Sequence, residues 1–429
     1  MKRGKCLIVC MLVCSMAFCS CNKEEKTTKP VKEQKENVVK EKAESTESTE
    51  SIESEEQTVV MDSDTEKGYD LPVDAQEKDE AERDSCQLMT LLTDIYKNAD
   101  KGNSFDVVLD RASIKQMSLI IKEQGYPVIS SDVYSNMENY KEVEDFLINA
   151  ESGNSGSTVI YEIYSDGGLG REKYVYDGKD MFLLASNVVW DEDNKPVMAF
   201  ISYTRLKKWR YSDRGWFCYE LCVPEYPEVT EMVDGSCLVR IKPMSRKKQK
   251  LSKQCVFGLG YQGNNLLCSN WDENHLEKLD YNGLYEYLYE MKYKKKYNSK
   301  KYLNGIPKDQ FESLIMEYLP VTSEMIQEYA VFDKKHKTYA WSRLGCFNYA
   351  PNYFGTSVPE VTKAKKNPDG TVTLTVDAVC EMILCDEAVI THELTVRFAE
   401  DGSFRYLGNK ILNGGIHDIP KYQYRIREE

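Results

Sequence analysis

Histidine is scarce in this chain: His275, His336, His392 and His417 are the only four in 429 residues. A metal hydrolase or a His-dependent nucleophilic enzyme needs several of these gathered with carboxylates or a nucleophile, and no stretch of the sequence gathers them. A close Cys-x-x-Cys pair is also missing. That removes the thiolate pair on which structural zinc sites are usually built. After the first twenty residues no apolar run approaches the about 20 residues needed to cross a bilayer. The sequence implies no cofactor.

What is present begins with a leader. Lys2, Arg3 and Lys5 make a positive start, and the apolar run from Cys6 to Cys19 is too short for a permanent span, as in a secretory signal. It ends in Phe18-Cys19-Ser20-Cys21, which resembles the bacterial lipobox, with Phe18 where Leu fits best. The resemblance implies cleavage after residue 20 and a diacylglyceryl group on Cys21, with palmitate-type chains. Two acyl chains hold where one binds only reversibly, because each buried methylene contributes roughly 0.8 kcal/mol. The expected location is therefore the outer face of the cell membrane, lipid-anchored.

Residues 22–85 hold ten Lys or Arg against twenty-one Asp or Glu, a net charge of −11, with Glu-Ser-Thr repeats around residues 44–50 and few large apolar side chains. Such a segment cannot bury enough surface to offset its ordering entropy. Residues 21–85 are accordingly expected as a lipidated, disordered acidic tether. From Cys86 onward the net charge is only −6, which with export argues against nucleic acid as a partner.

The remaining 344 residues exceed the size at which single cores usually stop growing, so two units are expected, 86–260 and 261–429. Helical spacing marks Cys86–Tyr96, Arg111–Gln124, 137–149, Tyr281–Tyr293, 307–318 and 322–328. Period-two alternation rich in Val, Ile, Tyr, Phe and Trp marks 158–164, 172–176, 181–190, 196–207, 216–223, 371–377, 388–398 and 404–411. Helices followed by antiparallel strands, twice over, give an α+β class in which helices pack on one face of curved antiparallel sheets.

The element order and the hairpin of Thr391–Phe398 with Asp401-Gly402-Ser403-Phe404 resemble the cone-shaped fold of the nuclear-transport-factor-2-like superfamily. That implies one or two cone-like domains in tandem, each enclosing a pocket. Pro359-Glu360-Val361-Thr362, Asp369–Val379 and Trp216–Glu225 resemble an uncharacterised lipoprotein family of Gram-positive, clostridia-like bacteria. This resemblance implies a domain of unknown function and carries over no catalytic residue.

Several motifs stop short of a site. His392-Glu393 opens like a zinc-protease motif, but Val396 stands where the second His belongs and the segment reads as a strand. In Asp191-Glu192-Asp193-Asn194-Lys195-Pro196 a Lys and a Pro replace a ligand and the Gly of a calcium loop. Gly167-Gly168-Leu169-Gly170 leads into a strand, so no helix N-terminus faces an anion, and Gly153–Ser157 lacks the last Gly of a nucleophile elbow. Two basic stretches, Arg246–Lys250 as a solvated loop between strands and Met291–Tyr302 around a helix end, have the composition to touch an anionic envelope polymer.

Nine cysteines follow the leader, and Cys218, Cys222, Cys380 and Cys385 are candidates either for disulfides or for small core residues. Cys218 and Cys222 sit about 13 Å apart along one strand, too far for a mutual bond. Twenty-nine tyrosines provide amphipathic surface suited to recognition. The preferred function is a non-enzymatic module binding a small ligand or the envelope. The competing classes are an extracellular hydrolase using a carboxylate pair, for example on glycans, and a surface folding helper.

Overall fold

The computed structural model describes residues 67–102, 106–302, 304–345, 352–383, 385–412 and 419–426. The leader, Cys21, Cys346 and His417 lie outside them.

Helix α1 (Ala75–Asn98) is capped by Asp74, whose carboxylate accepts the Gln76 N–H, and begins eleven residues ahead of Cys86. The charge that reads as a solvated linker has partners instead. Glu77 binds Lys173 at 2.7 Å and Glu80 binds Arg171 at 2.9 Å, with Arg171 only 2% exposed. Upstream, Leu71 N–H donates to Tyr203 C=O and Arg205 N–H to Gly68 C=O, so residues 68–71 are stitched to the sheet as well.

Helices α2 (Arg111–Glu123) and α3 (Lys141–Glu151) follow, separated by the short strand β1 (Val128–Ser130). The alternating stretch then folds as β2 (Gly156–Ile163), β3 (Leu169–Tyr176), β4 (Met181–Trp190), β5 (Pro196–Tyr211), β6 (Trp216–Leu221) and β7 (Ser236–Arg240). With β1 parallel to β2 and the others antiparallel, they form one seven-stranded sheet in sequence order. The meander expected from period-two alternation is therefore the one found.

Both faces of this sheet carry helices, where the sequence suggested one. Tyr161, Ile163, Leu169 and Val188 pack under α1 and α2 with Leu92 and Met117. The other parity, Ile160, Tyr174, Leu183 and Phe217, packs with Phe146 and Leu147 of α3. The reason is that β2 to β4 are apolar at both parities for much of their length, as a sheet buried on two sides requires. Each large side chain so covered contributes roughly 1.5–3 kcal/mol. The sheet also curls. Strands β3 and β6 are three steps apart, about 14 Å if flat, yet the Tyr174 and Tyr219 hydroxyls meet at 3.0 Å. The result is a half-barrel with the α3 face inside.

Helix α4 (Arg246–Leu251), capped by Ser245, runs into a π-turn over Ser252–Val256. The basic stretch expected as a loop is thus helical, because Ser245 supplies the cap. Next come β8 (Trp271–Asp272), α5 (Tyr281–Tyr293), β9 (Ile306–Pro307), α6 (Lys308–Tyr318), α7 (Ser323–Tyr329), β10 (Phe332–Asp333) and β11 (Thr338–Tyr339). Strands β12 (Val358–Lys366), β13 (Val372–Val379), β14 (Ala388–Phe398) and β15 (Phe404–Leu412) end the order. They form a five-stranded antiparallel sheet, β12-β13-β14-β15-β8, beside a small β10-β11-β9 sheet. Leu374, Val376, Leu394 and Tyr406 pack there against Leu288, Phe311 and Ile315. The architecture is α+β.

Residues from Asp64 onward cluster as one compact unit. Within it the two large sheets are joined by arginines of the first and carboxylates of the second: Arg210 with Glu387 at 2.5 Å, Arg214 with Asp377 at 2.8 Å, and Arg240 with Glu360.

Candidate functional site

The inner face of the half-barrel is apolar toward α3 and becomes polar toward the other end of β2 and β3. Register sets the rows. Glu162 faces Gly170, which faces Asn187, which faces Phe200; the next row is Ile160, Glu172, Ala185 and Ser202. Glu162 and Glu172 are thus diagonal neighbours on one face, about 7–8 Å apart by backbone spacing. Gly170 leaves room for the Tyr164 ring, whose hydroxyl lies where a Cβ would stand, so that ring covers the row between Glu162 and Asn187.

Burial falls off across these rows. Tyr174, Tyr219 and Glu172 are buried, whereas Glu162, Ala185, Asn187, Phe200, Ser202 and Thr204 are half-buried on a concave surface. This is a mouth. Its floor is a hydrogen-bonded chain in which the Tyr174 hydroxyl donates to Glu172 at 2.6 Å and meets Tyr219 at 3.0 Å.

The electrostatics are one-sided. Burial pushes the Glu162 carboxyl up to about 8, with Glu172 and then Glu381 adding repulsion. Burial also raises Glu172, against the lowering effect of the Tyr174 hydrogen bond. The Cys237 thiol is raised by burial, with Glu172 and Glu381 contributing and Tyr219 opposing. Glu381 comes from the segment after β13, close enough to these rows for its charge to act on Glu162 and Cys237. That segment is pinned by Arg210, which donates to the Cys385 carbonyl and to Asp386 and Glu387. Two inner-face oxygens have no partner among the described residues, Asn187 Oδ1 and Thr158 Oγ1. Perturbed carboxyls in a concavity with unsatisfied acceptors are the usual mark of a binding or reaction site.

The motifs singled out in the sequence lie elsewhere. His275 and His336 bind Asp272 and Asp333 three residues back, at 2.8 and 2.6 Å. His392 is fully buried on β14 and is held neutral, pushed down to about 4 by burial. Asn409 uses its Nδ2 to donate to Leu267 and Ser269 carbonyls, so its Oδ1 accepts from His392 Nδ1–H and the Tyr261 hydroxyl donates to Nε2. Every polar atom of that ring is satisfied. In the Asp191–Pro196 turn the Asp191 carboxylate accepts Asp193 and Lys195 N–H groups, filling the place a cation would take. Gly168 N–H is likewise bonded to Asp166. Among the described residues no group of three or more His, Cys, Asp or Glu side chains is placed to hold a metal.

Cys218, Cys222 and Cys380 are buried thiols and Cys385 is a half-buried one. Cys218 lies 3.9 Å from Glu387, and burial followed by that carboxylate pushes its thiol up to about 12. Such thiols are inert at neutral pH. Met291–Tyr302 leaves Lys294 and Lys295 exposed, while Lys292 pairs with Glu317 and Lys296 with Glu290.

Sequence reasoning missed the mouth although a signal was there. In the alternation Thr158, Ile160, Glu162, Tyr164 an acid occupies an apolar parity, and Glu172 does so between Gly170 and Tyr174. A polar residue that breaks its local rule marks function or strain.

No described helix is long and apolar enough to cross a membrane. No curated protein and no solved structure matches the chain. Residues 78–425 match a family of unknown function, DUF6070, over nearly the whole described fold, and the chain belongs to that family.

Proposed function

We propose that this protein is a membrane-tethered, extracytoplasmic binding module whose half-barrel mouth receives a small ligand. The observation that carries the binding half is the concave strip of Glu162, Asn187, Phe200 and Ser202, half-buried beside an unpartnered Asn187 oxygen. Its walls are a curled sheet with helices on it, in keeping with a cone-like, nuclear-transport-factor-2-like arrangement for the 86–260 part. The 261–429 part serves as a second unit that roofs the first.

The anchoring half rests on the leader and on Cys21 as the lipid-bearing residue, in a Gram-positive type of envelope.

A hydrolase reading would need a second, ionised carboxylate facing Glu162 across a substrate. Glu172 suits this poorly, being 7% exposed and hydrogen-bonded behind Tyr174. A binding role needs only the mouth.

Two measurements test the proposal. Expressed in a host that processes lipoproteins, the chain should incorporate radiolabelled palmitate and pellet with membranes, and Cys21→Ala should lose both; soluble, unlabelled wild type would remove the anchor. A small-molecule thermal-shift screen on wild type and Ser202→Trp should yield hits that the Trp, placed in the mouth, abolishes. Hits indifferent to Ser202→Trp would move the site elsewhere.

A further inference from the structure

We infer that the half-barrel mouth is built for an organic ammonium ion, a ligand presenting a primary amine, with Glu162 as its counter-charge. This rests on the binding reading above and narrows its ligand class.

The argument is one of complementarity. A buried acid normally acquires a cation, as Glu387 with Arg210, Asp377 with Arg214 and Glu360 with Arg240 show elsewhere in this chain. Glu162 has neither an ion pair nor a hydrogen bond among the described residues, and the charges acting on it are two further carboxylates, Glu172 and Glu381. Across Gly170 the Asn187 Oδ1 is unpartnered among the described residues. No described Arg or Lys from β2 to β5 shares this inner face at these rows, since Arg171 and Lys173 have the opposite parity and bind α1. An anionic ligand would oppose ionisation of Glu162, and a neutral one would leave that carboxyl protonated and without an ion pair. A primary ammonium brings N–H donors to the Glu162 carboxylate and to Asn187 Oδ1, and the charge that ionised Glu162 lacks. Phe200 and Tyr164 line the same rows, and aromatic faces add attraction for a cation. A metal ion fits less well, because no three ligating side chains converge among the described residues.

The chemistry predicts a proton count. With its carboxyl pushed up to about 8, Glu162 is mostly protonated at neutral pH, and an arriving ammonium favours the ionised form. Binding therefore expels a proton, from Glu162 to the buffer, with no other bond made or broken.

The test is isothermal titration calorimetry of the full chain with cadaverine, at pH 7 in phosphate and in MOPS, whose ionisation heats differ and neither of which is a primary amine. The expected result is binding with release of close to one proton per site. Glu162→Gln should lose the buffer dependence and bind at least tenfold more weakly, while Lys179→Gln, on an exposed turn, should behave as wild type. Binding of glucose or acetate, blocked by Ser202→Trp, with none of cadaverine, would overturn the ammonium class and leave the mouth as a site. Cadaverine binding unchanged in both Glu162→Gln and Ser202→Trp would overturn the inference and place the amine outside the mouth. No heat with any of the three probes at millimolar concentration would overturn it as well, and the wider screen against Ser202→Trp would then decide the mouth on its own.

Discussion

The Arg240 guanidinium lies 3.9 Å from the centre of the Trp216 ring and reaches from there to the Glu360 carboxylate. One side chain therefore joins the last strand of the half-barrel to the first long strand of the second sheet. Both members of the pair are 8% exposed, and burial raises the Glu360 carboxyl more than Arg240 lowers it. Desolvation thus outweighs attraction here, as is common for enclosed pairs. Removing one partner should be far worse than removing both. Glu360→Ala is expected to lose about 3–5 kcal/mol, while Arg240→Met with Glu360→Leu stays within about 1–2 kcal/mol of wild type, by urea denaturation. Equal losses in the two variants would show the pair to be a net stabiliser.

Glu162 makes stability fall as pH rises from 4.5 to 8. Its folded-state value, about 8, lies above the unfolded one of 4.5, so the folded protein holds the extra proton. Its contribution is complete below pH 4.5 and is lost as pH rises through 8. Glu162→Gln carries no proton to lose. At pH 9 the variant should exceed wild type by on the order of 1–2 kcal/mol after allowance for solvent at the mouth, and at pH 5 the two should coincide. Parallel melting curves across that range would sink the assignment.

His392 acts at the acid end. Its ring is held near 4, below the ordinary 6.5, so the unfolded chain takes up a proton the folded one refuses. Stability is complete above pH 6.5 and declines as pH falls toward 4, by about 3 kcal/mol in all. His392→Gln is expected to cost stability at pH 7.5 and to flatten the slope between pH 6.5 and 4. An unchanged slope in denaturant titrations would mean that other groups set the acid limit.

Gly283 inverts a familiar rule. Alanine in a helix usually gains about 0.5–1 kcal/mol over glycine, but a Cβ at Gly283, in the first turn of α5, would strike the Gly263 carbonyl and the Asp280 carboxylate. Asp280 caps α5 and also accepts the Tyr422 hydroxyl at 2.7 Å, so it has little room to give. Gly283→Ala should lose about 1–3 kcal/mol in a thermal melt. A gain would mean that the Gly263 loop yields freely.

What the sequence disclosed was periodicity. Strands β2 to β6 and β13 to β15 were legible from their Val, Ile, Tyr, Phe and Trp content and the turns between them, as were α2, α5, α6 and α7, the last with its Thr322 cap. Three things were hidden. Glu77 and Glu80 look like tether until Lys173 and Arg171 are brought across from β3, a contact about ninety residues distant in the chain. Strands β8 to β11 are two residues each and carry no period at all. The mouth depends on curl, and curl comes from which phenols meet over the sheet, Tyr174 with Tyr219, information that linear spacing does not hold.

The two sheets also differ in how far the chain must travel to close them. All seven strands of the first pair with neighbours in sequence, so each antiparallel pairing encloses a short loop, and the parallel β1–β2 pairing spans α3. The second is complete only when Trp271 of β8 reaches Asn409 of β15, across more than a hundred residues. Loop closure of that length slows folding more than it weakens the product. The half-barrel is therefore expected to assemble first and to wait with Arg210, Arg214 and Arg240 turned toward an absent partner. In that interval its surface is transiently cationic on a chain that is acidic overall, and the second sheet arrives to neutralise it.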